Sequence, residues 1–432
     1  MAKKNNIKMP DELKPVVNAK PHAAAAPKPA APKRPMRRTG NPKATAAPRR
    51  KSIWRKIAGI LLWILTAVSS CALILGCFGG NLRPTEYRGM CLLVMMLPGW
   101  LILMGISTVL NILWCRKALP LSLLVWIACA AGVWEFMPLN LTRPSLDKAA
   151  SYPQFTFLTY NITNFTDLTD RYPGDINPTV SNILKINADV VNLQEAVVLT
   201  PTPKIHLTQA QIDSLHRAYP YILMYGKSQM LMSKYPAKAI HIGEYNTRNE
   251  GSDDKGGEIA VFRLNIEGES VTLFDVHLKS FSLTPEDKEL FKDVTDLKDT
   301  DGNIKGTMID VKSQLLSKVQ HAAEVRQRDA DRLGRLIEKY GGPNVIVAGD
   351  FNDVPGCYTL RHLADFKLHQ VYSELGFGPM ITFNRDRFYF RIDHVLYRGA
   401  LKPLRMQRGS SLASDHYPLL VRFAITDEKS DN

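Results

Sequence analysis

The sequence predicts an α/β domain carried behind a block of three transmembrane α-helices, with a disordered basic tail in front. Three observations predict it. Three long apolar runs without a single charge lie between residues 57 and 134. The excess positive charge of the chain is confined to the stretch before them. From about residue 154 to residue 425, short apolar strand-like runs alternate with amphipathic helical ones.

The tail comes first. The chain of 432 residues has 55 Lys+Arg against 41 Asp+Glu, a formal net charge of +14. Sixteen of those bases and two acids, Asp11 and Glu12, lie in residues 1–56, so the other 376 residues carry 39 bases and 39 acids. The folded part is therefore neutral, which removes the simplest argument for a nucleic-acid-gripping surface. Residues 1–51 contain nine prolines, eleven alanines and no aromatic, too few large apolar groups to offset the entropy of ordering. Residues 1–56 are expected to be disordered, and they are too long and polar for the start of a secretory signal. Their charges fit a cytoplasmic segment beside anionic headgroups; a merely solvated tail and a nucleic-acid arm are the alternatives. Cys71, Cys77, Cys91, Cys115 and Cys129 sit in apolar stretches and leave only Cys357, so neither a disulfide scaffold nor a zinc spacing is present.

The membrane block is expected over residues 57–138. The runs 57–80, 89–115 and 118–134 hold 24, 27 and 17 residues. At about 1.5 Å per residue the first two reach roughly 36–40 Å, enough to cross a ~30 Å hydrocarbon core. The third reaches only about 25 Å, although Phe136, Met137 and Leu139 extend it beyond Glu135. All six tryptophans (54, 63, 100, 114, 126 and 134) fall in or beside these runs, several near their ends, as in an interfacial belt. The tail and the Arg116-Lys117 turn mark the cytoplasmic side, and three crossings put everything after about residue 140 outside the cytoplasm. Without the third crossing the domain lies inside.

Residues 139–153 read as a linker, 154–425 as one domain and 426–432 as a short C-terminal tail. Strands are expected at 155–160, 190–193, 259–264, 271–276, 344–348, 392–397 and 419–423, and helices at 177–186 and 313–340. The Asp- and Lys-rich stretch 284–308 reads as a surface insertion, and no internal repeat is evident.

Polar residues stand at the exits of these strands. They are Asn161 in FLTYN, Glu195 in NLQE, His277 in DVHLKS, Asp350 and Asn352 in GDFND, Asp393 and His394 in RIDHV, and Asp415 and His416 in SDHYP. Singly, each has a bland reading: a turn Asn or Asp, a solvated carboxylate, a satisfied core histidine. Together they place one such group per strand exit, and strand ends converge on one rim. Oxygen donors at Asn161, Glu195 and Asp415 suit Mg²⁺, with Mn²⁺ as a substitute. Two histidines and a spare carboxylate suit phosphate-ester hydrolysis, in which imidazoles stabilise developing charge and a carboxylate positions water.

The ordered motifs TYNITNF, NLQE, DVHL, GDFND, RIDHV and SDHYP resemble the endonuclease/exonuclease/phosphatase superfamily over roughly residues 154–425. The superfamily includes deoxyribonucleases, apurinic endonucleases, neutral sphingomyelinases and inositol polyphosphate 5-phosphatases. The resemblance implies a four-layer sandwich of two mixed β-sheets flanked by helices. It implies Glu195 as the principal Mg²⁺ ligand with Asn161 beside it, and Asp415 completing the metal or water site. Asp350 would orient or deprotonate water, Asn352 would hold the phosphate, and His277 would contact phosphate or leaving group. Asp393 would fix the tautomer of His416, which stabilises the pentavalent phosphate. One departure stands out: the acid that supports the first histidine in deoxyribonuclease-like members has no evident counterpart in MYGKSQMLMSKYP or GGEIAVF.

The implied substrate is a phosphate ester, either a lipid headgroup or other small phosphodiester, or a nucleic acid, and phosphomonoesters also remain. Lys227, Lys234, Lys238, Arg385, Arg387 and Arg391 are candidates for a local basic patch, or for a solvated face. The lipid bilayer is the expected partner, and no protein partner is expected. A non-catalytic membrane interaction protein with an inactive phosphoesterase-like domain is the contrasting reading; broken motifs would mark it, and the motifs here are complete.

Overall fold

The computed structural model describes residues 53–427 apart from 148, 173, 175, 243–255, 282–303 and 386–387, so the tail to residue 52 and most of the 284–308 insertion lie outside the described residues. The first apolar run forms α1 (Ile53–Phe78). The second is split: α2 (Met90–Met95) ends at Met96, and α3 (Leu97–Trp114) starts again with Pro98 in its first turn. Proline lacks the N–H that would continue the earlier helix but fits the first turn of a new one, so one expected helix becomes two. The third run is also split, into α4 (Leu119–Ala128) and α5 (Ala130–Phe136), bent by 58°. Among the described residues two helices are long and apolar enough to cross a membrane, or up to three spans if the bent pair counts as one.

A polar seam joins three of these helices. Asn111 Nδ2 on α3 donates to Thr66 Oγ1 on α1 at 2.8 Å and to Ser122 Oγ on α4 at 3.0 Å. Thr66 and Ser107 hydroxyls pair at 3.1 Å. Small hydroxyl and amide side chains let the helices approach and supply acceptors for the Asn111 amide hydrogens, while Asn111 Oδ1 is buried without a partner among the described residues.

The domain is a sandwich of two six-stranded sheets. One holds β1 (Gln154–Asn161), β2 (Val190–Gln194), β3 (Tyr221–Tyr225), β4 (Gln229–Ser233), β13 (Leu401–Arg408) and β14 (Leu419–Ile425) in the order β13-β14-β1-β2-β4-β3. The other holds β5 (Ala237–Ile240), β6 (Glu258–Ile266), β7 (Glu269–His277), β8 (Asn344–Asp350), β9 (His369–Gln370) and β12 (Asp393–Arg398) in the order β5-β6-β7-β8-β12-β9. Each sheet is mixed: β1 runs parallel to β2, and β7 parallel to β8. A small hairpin of β10 (Phe383–Arg385) and β11 (Phe388–Phe390) stands apart.

Phe155, Phe157, Phe262, Leu273, Ile346 and Val421 fill the space between the sheets. Outside the first sheet pack α6 (Pro178–Ile186) and α7 (Gln209–Ala218), through Ile183 and Leu215. Outside the second pack α8 (Ile304–Tyr340) and α9 (Tyr358–Ala364), through Leu333, Ile337 and Leu360. The short α10 (Val371–Leu375) precedes the hairpin. These are the four layers. The strands that the apolar runs do not announce are short or at an edge; β13 carries Pro403 beside a register shift, tolerable on an edge strand.

Candidate active site

The pleat decides which residues meet. Side chains alternate faces along a strand, so residues two apart share one. Phe155 and Phe157 face the space between the sheets, and Thr159 and Asn161 share their face. The same count runs from Val190 to Asn192 and Gln194, from Leu273 to Asp275 and His277, from Ala348 to Asp350, and from Val395 to Asp393. The interior layer thus turns from apolar to polar toward one end. Contacts across the sheets agree: Gln194 Nε2 and Asn192 Nδ2 on β2 donate to Asp275 Oδ1 on β7 at 2.6 and 3.0 Å. Burial pushes the Asp275 carboxyl up to about 8, against the pull of those donors.

At the open end the candidates converge. Asn161 Nδ2 donates to Glu195 Oε1 and to Asp350 Oδ2, both at 3.0 Å. His277 Nε2 lies 3.7 Å from Glu195 Oε1 and 3.8 Å from Asp350 Oδ2. His416 Nε2 lies 3.6 Å from the same Asp350 oxygen, while its Nδ1–H donates to Asp393 Oδ2 at 2.8 Å. Asp350, Asp393 and His416 form a compact group able to hold a metal ion, an alternative to the Asn161, Glu195 and Asp415 set.

Asp415 stands on the same rim but is tied to the turn after β1, its Oδ1 accepting from Thr163 Oγ1 at 2.7 Å and Ser414 Oγ at 3.3 Å. Asn352 donates its backbone N–H to Asp350 Oδ1 at 2.8 Å and one amide hydrogen to Leu278 O at 3.0 Å, which binds the exits of β7 and β8 together. Glu195 and Asn352 have φ of 52° and 51°, a left-handed conformation uncommon outside glycine and held here at two strand exits. Gly349 has φ 141°, and a Cβ there would run into the Val276 carbonyl on the neighbouring strand.

Opposing effects set the charges. Burial alone would lower the His416 imidazole, but the carboxylates of Asp393 and Asp350 outweigh it and push the ring up to about 10. Burial raises the Asp350 carboxyl, partly offset by His416 and His277. The site therefore couples a charged imidazole to a carboxylate of raised proton affinity, a pair suited to donating to one oxygen and accepting a proton from another.

His394 does not join them. One residue past Asp393, it faces the other side of the sheet, where Nε2–H donates to Asp353 O at 3.0 Å and the ring meets Phe351 edge-on. Burial pushes its pKa down to about 3, so it is neutral. The basic patch is also broken. Arg391 is buried with its guanidinium over the Tyr372 ring, because Glu135 and that ring together hold it; Lys234 pairs with Asp189 at 3.1 Å; and Arg387 lies outside the described residues.

Two useful residues escaped the motif reading. Glu258 of GGEIAVF stands directly opposite His277 in the β6–β7 ladder and accepts from the Ser228 hydroxyl. The signal was present: Glu267 and Gly268, with φ of 52° and 94°, make the two-residue turn of that hairpin, and counting back from it pairs 258 with 277. Arg326, in the middle of α8, gave no such signal. It is fully buried, donates to Lys279 O at 3.0 Å, lies 3.4 Å from Asp353 Oδ1 and caps the Phe281 ring, fixing the loops after β7 and β8.

A family model described as Endonuclease/Exonuclease/phosphatase family matches residues 158–416. No curated protein matches the chain. Among solved structures, an endonuclease/exonuclease/phosphatase family protein from Bacteroides thetaiotaomicron is 14% identical, with 64% of this chain and 100% of that one covered and a TM-score of 0.41. One from Beutenbergia cavernae is 16% identical over 63% of this chain and 72% of that one, with a TM-score of 0.41. Truncated TDP2 from Caenorhabditis elegans is 18% identical over 63% and 97%, with a TM-score of 0.37.

Proposed function

Because the chain belongs to the endonuclease/exonuclease/phosphatase family, we propose that it is a membrane-anchored, Mg²⁺-dependent phosphodiester hydrolase, acting on a lipid headgroup or other small phosphodiester in preference to nucleic acid. The observation that carries this reading is the shared Asp350 oxygen, reached by Asn161, His416 and His277 and backed by the Asp393–His416 pair.

A hard cation fits the donor set. Glu195 and Asp350 converge on one amide group, and two carboxylates so close are eased by positive charge between them. Glu195 would hold Mg²⁺, or Mn²⁺ in its place, with Asp415 on the rim beside it; Asn161 would join through its amide oxygen, which here accepts from Thr163 N at 3.2 Å while Nδ2 faces the carboxylates. Bound there, the ion would neutralise a phosphoryl oxygen. Asp350 aligns the attacking water and takes its proton. His416, kept charged by Asp393, donates to the oxygen on which charge builds, and His277 donates to the phosphate or leaving group. Asn352 keeps one amide hydrogen for the phosphate. The neutral domain and the dispersed basic residues favour a small or lipid ester over a nucleic-acid backbone.

The full chain in lipid nanodiscs with Mg²⁺ should hydrolyse bis-p-nitrophenyl phosphate and release headgroup from sphingomyelin faster than it nicks plasmid DNA. No turnover on any of the three, with Mg²⁺ or Mn²⁺, ends the hydrolase reading; faster nicking reverses the substrate preference. With α4 and α5 as one span, the N-terminus is cytoplasmic and the domain extracytoplasmic. A reporter active only in the extracytoplasmic space, fused after Asn432, should then be active, and activity only from a cytoplasm-specific reporter removes the third crossing.

A further inference from the structure

Within α1–α5 the only acidic residue is Glu135, and burying a carboxylate at the end of an apolar segment is costly unless donors surround it. Here they do. Glu135 Oε1 accepts from Gly356 N at 3.1 Å and from Gln370 Nε2 at 3.0 Å, and Oε2 lies 2.7 Å from Arg361 Nη2. The Glu135 carbonyl accepts from Arg391 Nη2 at 2.6 Å. Every one of these donors belongs to the catalytic domain.

They also lie close in sequence to the candidate site. Gly356 is four residues beyond Asn352, and Arg391 two before Asp393, whose carboxylate holds His416. Gln370 is on β9, paired to β12 at Leu396. Two further contacts come from the membrane block to the same segments. Val94 on α2 packs with Val354, Cys357 and Ile392. Gly80, after α1, lies so close to Gly356 that a Cβ would strike its carbonyl oxygen. The segments leaving β8 and entering β12 are thus held by three parts of the membrane block at once.

We propose that Glu135 is a positioning residue for the active site: it holds the 353–357 loop and residues 391–392, so the membrane block is part of the catalytic apparatus as well as its anchor. This rests on the hydrolase reading above. An ordinary structural ion pair would fasten the helix to any convenient surface, and its loss would loosen the whole fold. A positioning role makes a narrower claim: losing the Glu135 carboxylate relaxes the 353–357 loop and displaces Asn352, while the backbone carbonyl bond to Arg391 survives the substitution. A displacement of about 1 Å at such a site costs about 10²-fold in rate.

The test uses the full chain in nanodiscs, with bis-p-nitrophenyl phosphate and Mg²⁺. Glu135→Ala should lower kcat by about 10- to 100-fold while KM stays within about threefold. Glu135→Gln, which keeps an acceptor for Gly356 and Gln370, should recover most of that loss. Gly80→Ala leaves Glu135 intact but pushes on Gly356, and should lower kcat in the same way. Amide hydrogen exchange is the second readout: protection should fall about tenfold or more at residues 351–357, where the carboxylate bonds are lost, and stay unchanged in the β6–β7 hairpin. Unaltered kcat in Glu135→Ala, or an equal loss of protection in that hairpin, would overturn the proposal. If the wild-type chain turns over no substrate, the hydrolase reading fails by itself. The exchange pattern then still decides: localised loosening supports the coupling, and unchanged exchange refutes it.

Discussion

The helical block and the sandwich both bury a polar seam inside an apolar interior, but they fill it differently. In the block, Thr66, Ser107, Asn111 and Ser122 bond one another, and none is ionisable. In the sandwich the seam of Asn192, Gln194 and Gln229 surrounds a carboxyl, Asp275, and runs on to Asp350, Asp393 and His416. The difference follows from where each seam ends. The sandwich seam opens at strand exits, where water can compensate charge; the helical seam lies among helices long and apolar enough to cross a membrane, a setting in which neutral polar groups cost less than charged ones. Glu135, the acid within those helices, is the exception that shows the rule, because the sandwich domain supplies its donors.

The largest expected effect breaks the charged end outright. Excess chelator should abolish hydrolysis, and Glu195→Gln should raise the Mg²⁺ concentration needed for half-maximal rate while removing most of the activity. Undiminished turnover in chelator, measured on bis-p-nitrophenyl phosphate, contradicts the metal assignment.

Next comes the Asp393–His416 pair. Asp393→Asn should lower kcat by about 10²-fold or more, His416→Ala by a similar factor, and the double variant by little beyond the worse single one. Multiplicative losses would show that the two act independently. The pH profile carries a sign. The ring is held charged up to about pH 10, so the wild-type rate should not fall through pH 7–9, and should fall only as pH rises through about 10. Removing the carboxylate lowers the imidazole pKa, so the falling limb of Asp393→Asn should move to lower pH. A limb that stays in place rules out the pairing as its cause.

The interior of the sandwich should respond more gently. The Asp275 carboxyl holds its proton to about pH 8 when folded and to about 3.8 as a free side chain. Its contribution to stability is complete below the lower value and lost as pH rises through the higher one. Asp275→Asn keeps the shape without the titration, so it should be more stable than wild type at pH 8 by about 1 kcal/mol or more, with a smaller advantage at pH 6. Thermal melts at the two pH values read this directly; an advantage independent of pH would refute it. The smallest effect belongs to the neutral seam. Asn111→Leu should cost about 0.6–2 kcal/mol of helix-block stability in detergent, the ordinary scale for a hydrogen bond between membrane helices. A cost of several kcal/mol would mean that the seam behaves like the sandwich interior.

Much of this was legible in residue order. The apolar runs announce α1 and α3, and alternation announces the central strands β1, β2, β6, β7, β8, β12 and β14 nearly in place. The candidate residues are legible because polar side chains at the ends of apolar strands have few other reasons to be there. His394 was misleading for the same reason: adjacency in RIDHV hides that neighbours on a strand face opposite ways. Short strands such as β3 and β5 were illegible because runs of five and four residues, YILMY and AKAI, carry too little pattern to tell strand from helix.

By itself, then, the sequence determined the neutral domain, the apolar block, the parity that sends Asn161, His277, Asp350 and Asp393 to one face, and the turn that sets Glu258 against His277. Those are local properties, fixed by period, charge and turn chemistry over a few residues. Only the tertiary structure decided that Arg326 reaches Asp353, that Arg391 leaves the surface for Tyr372, and that Glu135 joins α5 to the loop after Asn352. Those contacts link residues up to 221 positions apart, and a charged side chain carries no local mark of which distant group will desolvate it and which will compensate it.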